Sequence, residues 1–168
     1  MQKRENKFHK VSFRLFQESY KEDNKFLQEE IKNIYDDIKL PKRATSSSAG
    51  YDFYSPYSFK LEPKETIKIA TGIRVSMEDD LVLLIFPRSS LGFKYRLMLE
   101  NTVGVIDSDY FLSDNEGHIF VKITNHSDKT LEIKKGDAFV QGIFIKYYTT
   151  VDDDTNEIRN GGIGSTNI

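Results

Sequence analysis

The sequence predicts an all-β fold, a jelly-roll-like β-barrel or sandwich, with an added N-terminal amphipathic helix. Two observations favour this fold. Beyond residue 43 the chain consists of short segments rich in β-branched and aromatic residues, which are typical of strands. These segments alternate with polar turns such as Glu62 to Lys64 and Asn125 to Asp128. Strands at such regular spacing are typical of sandwiches and jelly rolls.

The 168 residues are expected to form one compact domain with an extension at each end. Residues 1–42 are predicted to be a strand-and-helix extension packed on the core, and residues 43–150 to be the β core itself. Residues 151–168 are predicted to be a flexible, glycine-rich arm. Within the core, strands are expected at residues 59–62, 66–70, 72–76, 81–86, 96–99, 118–124 and 139–148.

The N-terminal extension contains two hydrophobic patterns. Alternation of apolar and polar residues predicts a half-buried strand through Val11, Phe13 and Leu15. Helical spacing predicts an amphipathic helix through Leu27, Ile31, Ile34, Tyr35 and Ile38. A capping box of Ser19 and Glu22 is expected at its start, and Pro41 disfavours its continuation. Because such a helix usually covers its own core, we expect packing rather than partner binding.

Composition excludes several classes of protein. The formal net charge is only −2, so direct binding to nucleic acid or to an anionic membrane is not expected. No apolar run is long enough to cross a bilayer, and the polar start Met1 to Glu5 lacks the apolar stretch of a signal peptide, which predicts a cytoplasmic protein. The absence of cysteine excludes disulfides, thiolate nucleophiles and cysteine-ligated zinc.

An acidic turn is the first segment that suggests chemistry. The apolar segment Gly104 to Ile106 ends at Asp107, and the ring of Tyr110 follows three residues later. A carboxylate there can accept a proton from an attacking water, although a base as weak as a carboxylate needs accurate positioning. Taken alone, the segment also fits a β-turn in which Asp107 and Ser108 bond their own backbone.

Four further segments carry polar groups that suit an anionic ligand. Arg88, Ser89 and Ser90 follow a strand-ending proline, and a guanidinium with hydroxyls matches phosphate oxygens. The remaining groups are Asp52 between aromatic residues, the Gln141 amide, and the glycine-rich stretch from Arg159 to Thr166. Each segment also has an ordinary interpretation as a surface loop, a turn or a frayed end.

The order of these segments is more specific than any one of them. AGYD at 49–52, PRSSL at 87–91, NxxGVIDSDY at 101–110, KGDxxxQ at 135–141 and RxGGxGST at 159–166 follow one another along the chain. This series closely resembles the five motifs of the trimeric dUTP pyrophosphatase (dUTPase) family, of the phage or Gram-positive bacterial type. The resemblance implies a jelly-roll homotrimer whose three shared active sites convert dUTP and water to dUMP and pyrophosphate with Mg²⁺.

By motif position, the resemblance implies a role for each residue. Asp107 is the general base for the water that attacks the α-phosphate, and Asp52 contacts the metal through water. The implied substrate-binding residues are Arg88, Ser89, Ser90 and Gln141 for the phosphates, Asn101 with Gly104, Val105 and Ile106 for uracil, Tyr110 for the deoxyribose, Arg159 for the γ-phosphate, and Gly162, Ile163, Gly164, Ser165 and Thr166 in the arm that closes over the site.

The sequence departs from the family pattern in several places, and the departure with the clearest chemical consequence concerns the cover of the base. Ile163 stands where the family usually has an aromatic residue that covers the base, and isoleucine cannot stack as a planar ring. Candidates for this role are Phe120, Phe111 and Tyr51. We expect Phe120 to take it, because it lies on the strand that follows Tyr110.

Two alternatives belong to other functional classes. dCTP deaminase has the same fold and a similar Arg-Ser-Ser segment, but it needs a glutamate on the strand after the acidic turn, and residues 118–124 contain none. A noncatalytic, nucleotide-binding trimer that acts through a protein repressor is the other alternative. The retained Asp107, Arg88 and Arg159 argue against lost catalysis, whereas Ile163 leaves the regulatory interpretation open.

Overall fold

The computed structural model describes residues 4–21, 26–157, 159 and 161. Most of its regular structure is β, as the sequence predicts. The strands are β1 (Lys7–Lys10), β2 (Lys42–Arg43), β3 (Tyr51–Tyr54), β4 (Phe59–Leu61), β5 (Thr66–Ala70), β6 (Ile73–Ser76), β7 (Leu81–Pro87), β8 (Leu97–Leu99), β9 (Gly104–Asp107), β10 (Phe120–Asn125), β11 (Leu131–Ile133) and β12 (Ala138–Lys146). The helices are α1 (Phe13–Glu18), α2 (Gln28–Asp36) and α3 (Ser89–Tyr95), and a 3₁₀ helix covers Ser108–Leu112.

The strands form antiparallel sheets. The largest has the order β2-β3-β12-β7-β9, and a second has the order β5-β10-β8. Two strand pairs, β1-β6 and β11-β4, complete the arrangement. Because β9 is the last strand in its sheet, one side of its backbone faces away from β7, and a strand edge presents main-chain N–H and C=O groups.

One hydrophobic cluster joins the sheets and the N-terminal helices. Phe53, Leu83 and Phe139 are almost completely buried in it. Phe16 of α1 and Ile31 of α2 belong to the same cluster, so the apolar faces of both helices pack on the core. Among the described residues, no helix combines the length and the apolar character that crossing a lipid bilayer requires.

The strand predicted through Val11, Phe13 and Leu15 is wrong. The structure has β1 at Lys7–Lys10, followed by helix α1 at Phe13–Glu18. The Ser12 hydroxyl accepts a hydrogen bond from the Leu15 N–H and caps the start of α1. A serine cap therefore begins a helix within a stretch whose alternating pattern indicates a strand.

The predicted start of the second helix is also wrong. Ser19 lies at the C-terminal end of α1, and Glu22 lies outside the described residues. Helix α2 instead begins after Leu27, whose N–H donates to the Glu30 carboxylate at 2.7 Å. The Glu30 carboxylate thereby satisfies the main-chain N–H at the cap position. The apolar side chain of Leu27 cannot itself accept a hydrogen bond from the first turn of the helix.

His118 lies buried between the core and α1 and gives the fold a pH dependence. Its side chain accepts a hydrogen bond from the Gly72 N–H at 2.9 Å through Nε2. The pKa of His118 is lowered from 6.5 to about 4, mainly by burial; Glu116 opposes the shift, and Lys68 acts in the same direction as burial. The folded protein therefore holds this imidazole neutral at pH values where the unfolded chain protonates it.

We expect the free energy of unfolding to fall as the pH drops from about 6.5 towards 4. Below pH 6.5 the unfolded state binds a proton that the folded state does not, which costs about 2 to 3 kcal/mol by pH 4.5. Urea unfolding of the wild type and of His118→Gln at pH 7.5 and 4.5 measures this. The variant should lose less stability over that range, and equal losses would contradict the assignment.

Candidate active site

Those site residues indicated by the sequence that the structure describes lie in two separate pockets. The first, the β9 pocket, has a volume of about 280 Å³. It brings together Asn101, Gly104, Val105, Ile106, Asp107, Tyr110, Phe120 and Arg159. The second, the β3 pocket, has a volume of about 310 Å³ and brings together Asp52, Arg88, Ser89, Ser90 and Gln141.

Strand β9 forms one wall of the β9 pocket with its main chain. It pairs with β7 along one side, with Gly104 opposite Ile85 and Asp107 opposite Val82. A Cβ atom at Gly104 would lie 3.0 Å from the Cβ of Ile85, so glycine lets the two strands approach closely here. The outer edge of β9 can donate and accept hydrogen bonds in the manner of a pairing strand, which suits the polar edge of a flat ring.

Tyr110 presents its ring to the β9 pocket and keeps its hydroxyl inside the protein. The residue is 5% exposed. Its hydroxyl donates to the His118 carbonyl at 2.9 Å and accepts from Asn115 Nδ2 at 2.8 Å. Burial raises the pKa of Tyr110, so the phenol is neutral. With its polar atom engaged, the side chain offers the pocket an apolar surface.

Two carboxylates and one guanidinium meet at the mouth of the β9 pocket. Arg159 Nη2 lies 2.5 Å from Asp107 Oδ2, and Arg159 Nε lies 2.9 Å from Asp109 Oδ1. Both carboxylates are about half exposed, at 51% and 50%, whereas the Arg159 side chain is 19% exposed. The arginine expected to meet a phosphate therefore lies on the acidic turn. Its charge offsets the repulsion between the two acids.

Phe120 lines the β9 pocket, whereas the other two aromatic candidates lie in other contacts. The Phe120 ring lies 4.3 Å from the His118 ring, and Lys68 Nζ lies 4.7 Å from the Phe120 centroid. The Phe111 ring instead lies under the Arg74 guanidinium at 3.7 Å. Tyr51 packs on the aromatic residues Phe8 and Phe144.

The β3 pocket contains the cationic and hydroxyl groups. Asp52 on β3 lies opposite Gln141 on β12, so both side chains point to the same face of the sheet. Arg88 Nε lies 3.1 Å from Asp52 Oδ1, and Gln141 Nε2 donates to the Pro87 carbonyl at 3.3 Å. A Cβ atom at position 50 would lie 2.4 Å from Gln141 Oε1, so Gly50 leaves room for this amide.

A single chain holds the two pockets apart. Asp107 pairs with Val82 near the start of β7, and Arg88 follows Pro87 at the end of the same strand. At about 3.3 Å per residue, the six steps from position 82 to position 88 span about 20 Å. The acidic turn and the arginine of the β3 pocket therefore cannot act on one small phosphate group within one chain.

The carboxylates fit a magnesium ion that a nucleotide brings with it better than a cage made by protein alone. Among the residues that the structure describes, there is no cluster of three or more histidine, aspartate or glutamate side chains that could hold a metal. Mg²⁺ commonly keeps several waters and uses one or two carboxylates plus substrate phosphates. Asp52, beside the hydroxyls of Ser89 and Ser90, provides that type of ligand.

Some contributions to the pockets are not indicated by the motifs. Ile85, Leu99 and Ile119 supply apolar surface to the β9 pocket. Each lies in a predicted strand. The only sequence signal for their position is the alternation of inward-facing and outward-facing side chains along a strand. Asp109 is visible in the sequence as part of the acidic turn, but nothing in the spacing indicates its contact with Arg159.

The remaining arm residues, Gly162, Ile163, Gly164, Ser165 and Thr166, lie outside the described residues. Their expected role in closing the site stays a prediction.

Comparisons with known proteins agree on one family. The model of the dUTPase family matches residues 36–167. The deoxyuridine 5'-triphosphate nucleotidohydrolase of Lactococcus lactis subsp. lactis is 42% identical over 132 residues, which are 77% of this chain and 88% of the relative. The crystal structure of dUTPase from Streptococcus mutans is 38% identical, with a TM-score of 0.59 over 66% of this chain and 88% of that chain.

A dUTPase from phage phi11 of S. aureus shares the fold. It is 24% identical, with a TM-score of 0.57 over 71% of this chain and 90% of that chain. The structure of that phage protein reveals the coordination of a structural Mg(II) ion.

Proposed function

The chain belongs to the dUTPase family and is a dUTP nucleotidohydrolase, and on that premise we propose that Asp107 directs the water that attacks the α-phosphate. The position of Asp107 carries this proposal. It ends the strand that forms the main-chain wall of the β9 pocket, and half of its side chain remains exposed to solvent.

The reaction needs one proton acceptor and one leaving group. As the water oxygen bonds to the α-phosphorus, the bond from that phosphorus to the bridging oxygen breaks and pyrophosphate leaves. The water proton passes to the Asp107 carboxylate. A carboxylate can serve as the acceptor here, because accurate positioning and electrostatic stabilisation supply much of the acceleration in phosphoryl transfer.

The β9 pocket is proposed to bind the deoxyuridine. Asn101 and the outer edge of β9 would pair with the polar edge of uracil, and a methyl group on C5, beside that edge, would collide with the strand. Tyr110 would lie under the deoxyribose, where its apolar ring leaves a 2′-hydroxyl without a partner. Phe120, which lines the same pocket, would cover the base in place of the aromatic residue absent at Ile163.

The β3 pocket is proposed to bind the triphosphate of a nucleotide held mainly by a neighbouring chain. The separation of about 20 Å between Arg88 and Asp107 along β7 supports this division of labour. Arg88, Ser89, Ser90 and Gln141 would contact phosphate oxygens. A homotrimer with three shared sites would place each β3 pocket against a neighbour's β9 pocket.

Magnesium bound to the triphosphate, and contacted by Asp52 through water, would offset negative charge on the leaving group. Arg159 would exchange partners when the substrate binds. It now pairs with Asp107 and Asp109, and a γ-phosphate would attract the same guanidinium more strongly. The exchange would free the Asp107 carboxylate to accept a proton. A protein repressor as partner and a cytoplasmic location stay predictions.

A substrate comparison tests the proposed function. Pyrophosphate release with Mg²⁺ should be efficient for dUTP, and kcat/KM for UTP, dCTP and dTTP should be at least about 10²-fold lower. Ammonia release from dCTP would support a deaminase instead. Binding of dUTP without turnover would support a regulatory protein.

A further inference from the structure

The N-terminal residues 4–19, which we call the N-terminal brace, lie before the family match begins at residue 36. They contain β1 and α1. Besides pairing with β6 through β1 and packing on α2 through α1, they contact one stretch of chain, residues 108–118, within the connection from β9 to β10. That stretch carries Tyr110 and leads directly into Phe120.

The brace makes three hydrogen-bonding contacts with this stretch, in addition to ring contacts. Arg4 Nη1 donates to the Ser108 carbonyl at 2.9 Å, next to Asp107. The Ser12 N–H donates to Glu116 Oε2 at 2.7 Å. Ser19 Oγ lies 3.3 Å from His118 Nδ1. The contacts therefore extend along the whole connection, from the acidic turn to the start of β10.

The third contact leads through a ring to the β9 pocket. Because His118 Nε2 accepts from the Gly72 N–H, the proton of the neutral imidazole is on Nδ1 and is donated to Ser19 Oγ. Ser19 Oγ in turn donates to the Leu15 carbonyl of α1 at 2.9 Å. These bonds fix both the tautomer and the orientation of the imidazole.

His118 contacts both pocket aromatics. Its ring lies 4.3 Å from the Phe120 ring, and its carbonyl accepts the Tyr110 hydroxyl at 2.9 Å. The histidine itself is 1% exposed, so it has little freedom to move independently of either neighbour. A change in the orientation of the imidazole would therefore shift the Phe120 ring directly, and a shift of the His118 main chain that accompanies it would move the Tyr110 hydroxyl.

We propose that the N-terminal brace positions Tyr110 and Phe120 through the Ser19–His118 contact and thereby sets the affinity of the enzyme for the deoxyuridine nucleotide. Ser19 and His118 are positioning residues in this account, since neither lines the pocket. The inference rests on the proposed function, because it assigns the β9 pocket to the nucleoside.

Ser19→Ala tests the brace, with two variants for comparison. Loss of one hydrogen bond that orients the imidazole should raise KM for dUTP, and Kd for dUMP by calorimetry, about fivefold, with kcat nearly unchanged. Ser19→Thr keeps the hydroxyl and should restore both values. Tyr35→Phe is the matched control, because it removes a 2.7 Å bond to the Val11 carbonyl that lies away from the pocket wall.

Tyr35→Phe should lower the melting temperature about as much as Ser19→Ala and leave KM at the wild-type value. Wild-type KM in Ser19→Ala would overturn the proposal. An equal rise in KM for Tyr35→Phe would also overturn it, because general loosening of the helices would then explain the effect. The dUMP titration measures binding and needs no turnover. If the wild type bound dUMP but did not hydrolyse dUTP, the proposed function would be contradicted, whereas the effect of the brace on nucleotide affinity could still be measured.

Discussion

Asp107→Asn is expected to lower kcat for dUTP hydrolysis by about 10³-fold and to leave nucleotide affinity nearly unchanged. Asparagine has almost the same shape as aspartate, so the wall of the β9 pocket is preserved. Its amide cannot accept the proton of the attacking water. The loss should therefore appear in kcat, because the missing interaction belongs to the transition state.

Asp109→Asn is the matched control for this variant. Asp109 carries the same charge, has nearly the same exposure and contacts the same arginine, Arg159, at 2.9 Å. If the charge of the acidic turn were the important property, both variants would be impaired equally. We expect Asp109→Asn to lower kcat by less than about tenfold, since surface ion pairs contribute little. The comparison requires the steady-state rates and the dUMP affinities of both variants. A wild-type kcat in Asp107→Asn would exclude Asp107 as the general base.

Which residues meet in the β9 pocket could be anticipated from the sequence to a useful degree. Asn101 to Tyr110 is one continuous stretch, so its residues had to lie close together. Phe120 could be added because a strand that follows Tyr110 returns past the same place, and the structure has β10 beginning at Phe120. Local continuity and strand alternation were sufficient for these residues.

The distance between the two pockets could not be anticipated from the motif order. The motif that contains Arg88 and the motif that contains Asp107 follow each other along the chain. Arg88 nevertheless lies just after the end of β7, whereas Asp107 pairs near the start of that strand. This separation depends on the antiparallel register of β7 and β9. Register is set by which residues the whole sheet buries, and a motif carries no information about it.

The N-terminal brace was missed for a different reason. Val11, Phe13 and Leu15 fit a period of two, whereas the deeply buried residues are Val11, Phe16 and Tyr20. A short helix contributes few residues to either pattern, and here the Ser12 cap decided between them. The contact from Ser19 to His118 spans 99 residues, and no local signal indicates it.

Oligomers that contain two different inactive variants are expected to recover activity for dUTP hydrolysis. Asp107→Asn removes the proposed base from the β9 pocket, and Arg88→Ala removes the proposed phosphate-binding cation from the β3 pocket. Each homotrimer should be nearly inactive. In a mixed ring of three subunits, one site receives Asp107 from one chain and Arg88 from the next, whichever variant is present in two copies.

The central claim is that each active site combines the β9 pocket of one chain with the β3 pocket of another. Co-expression of the two variants with different tags, followed by purification on both tags, isolates the mixed trimers. The measurement is their rate of dUTP hydrolysis per trimer. We predict about one third of the wild-type rate, because one site in three is complete. A rate no higher than that of the two inactive homotrimers, in preparations shown to contain both chains, would contradict the account.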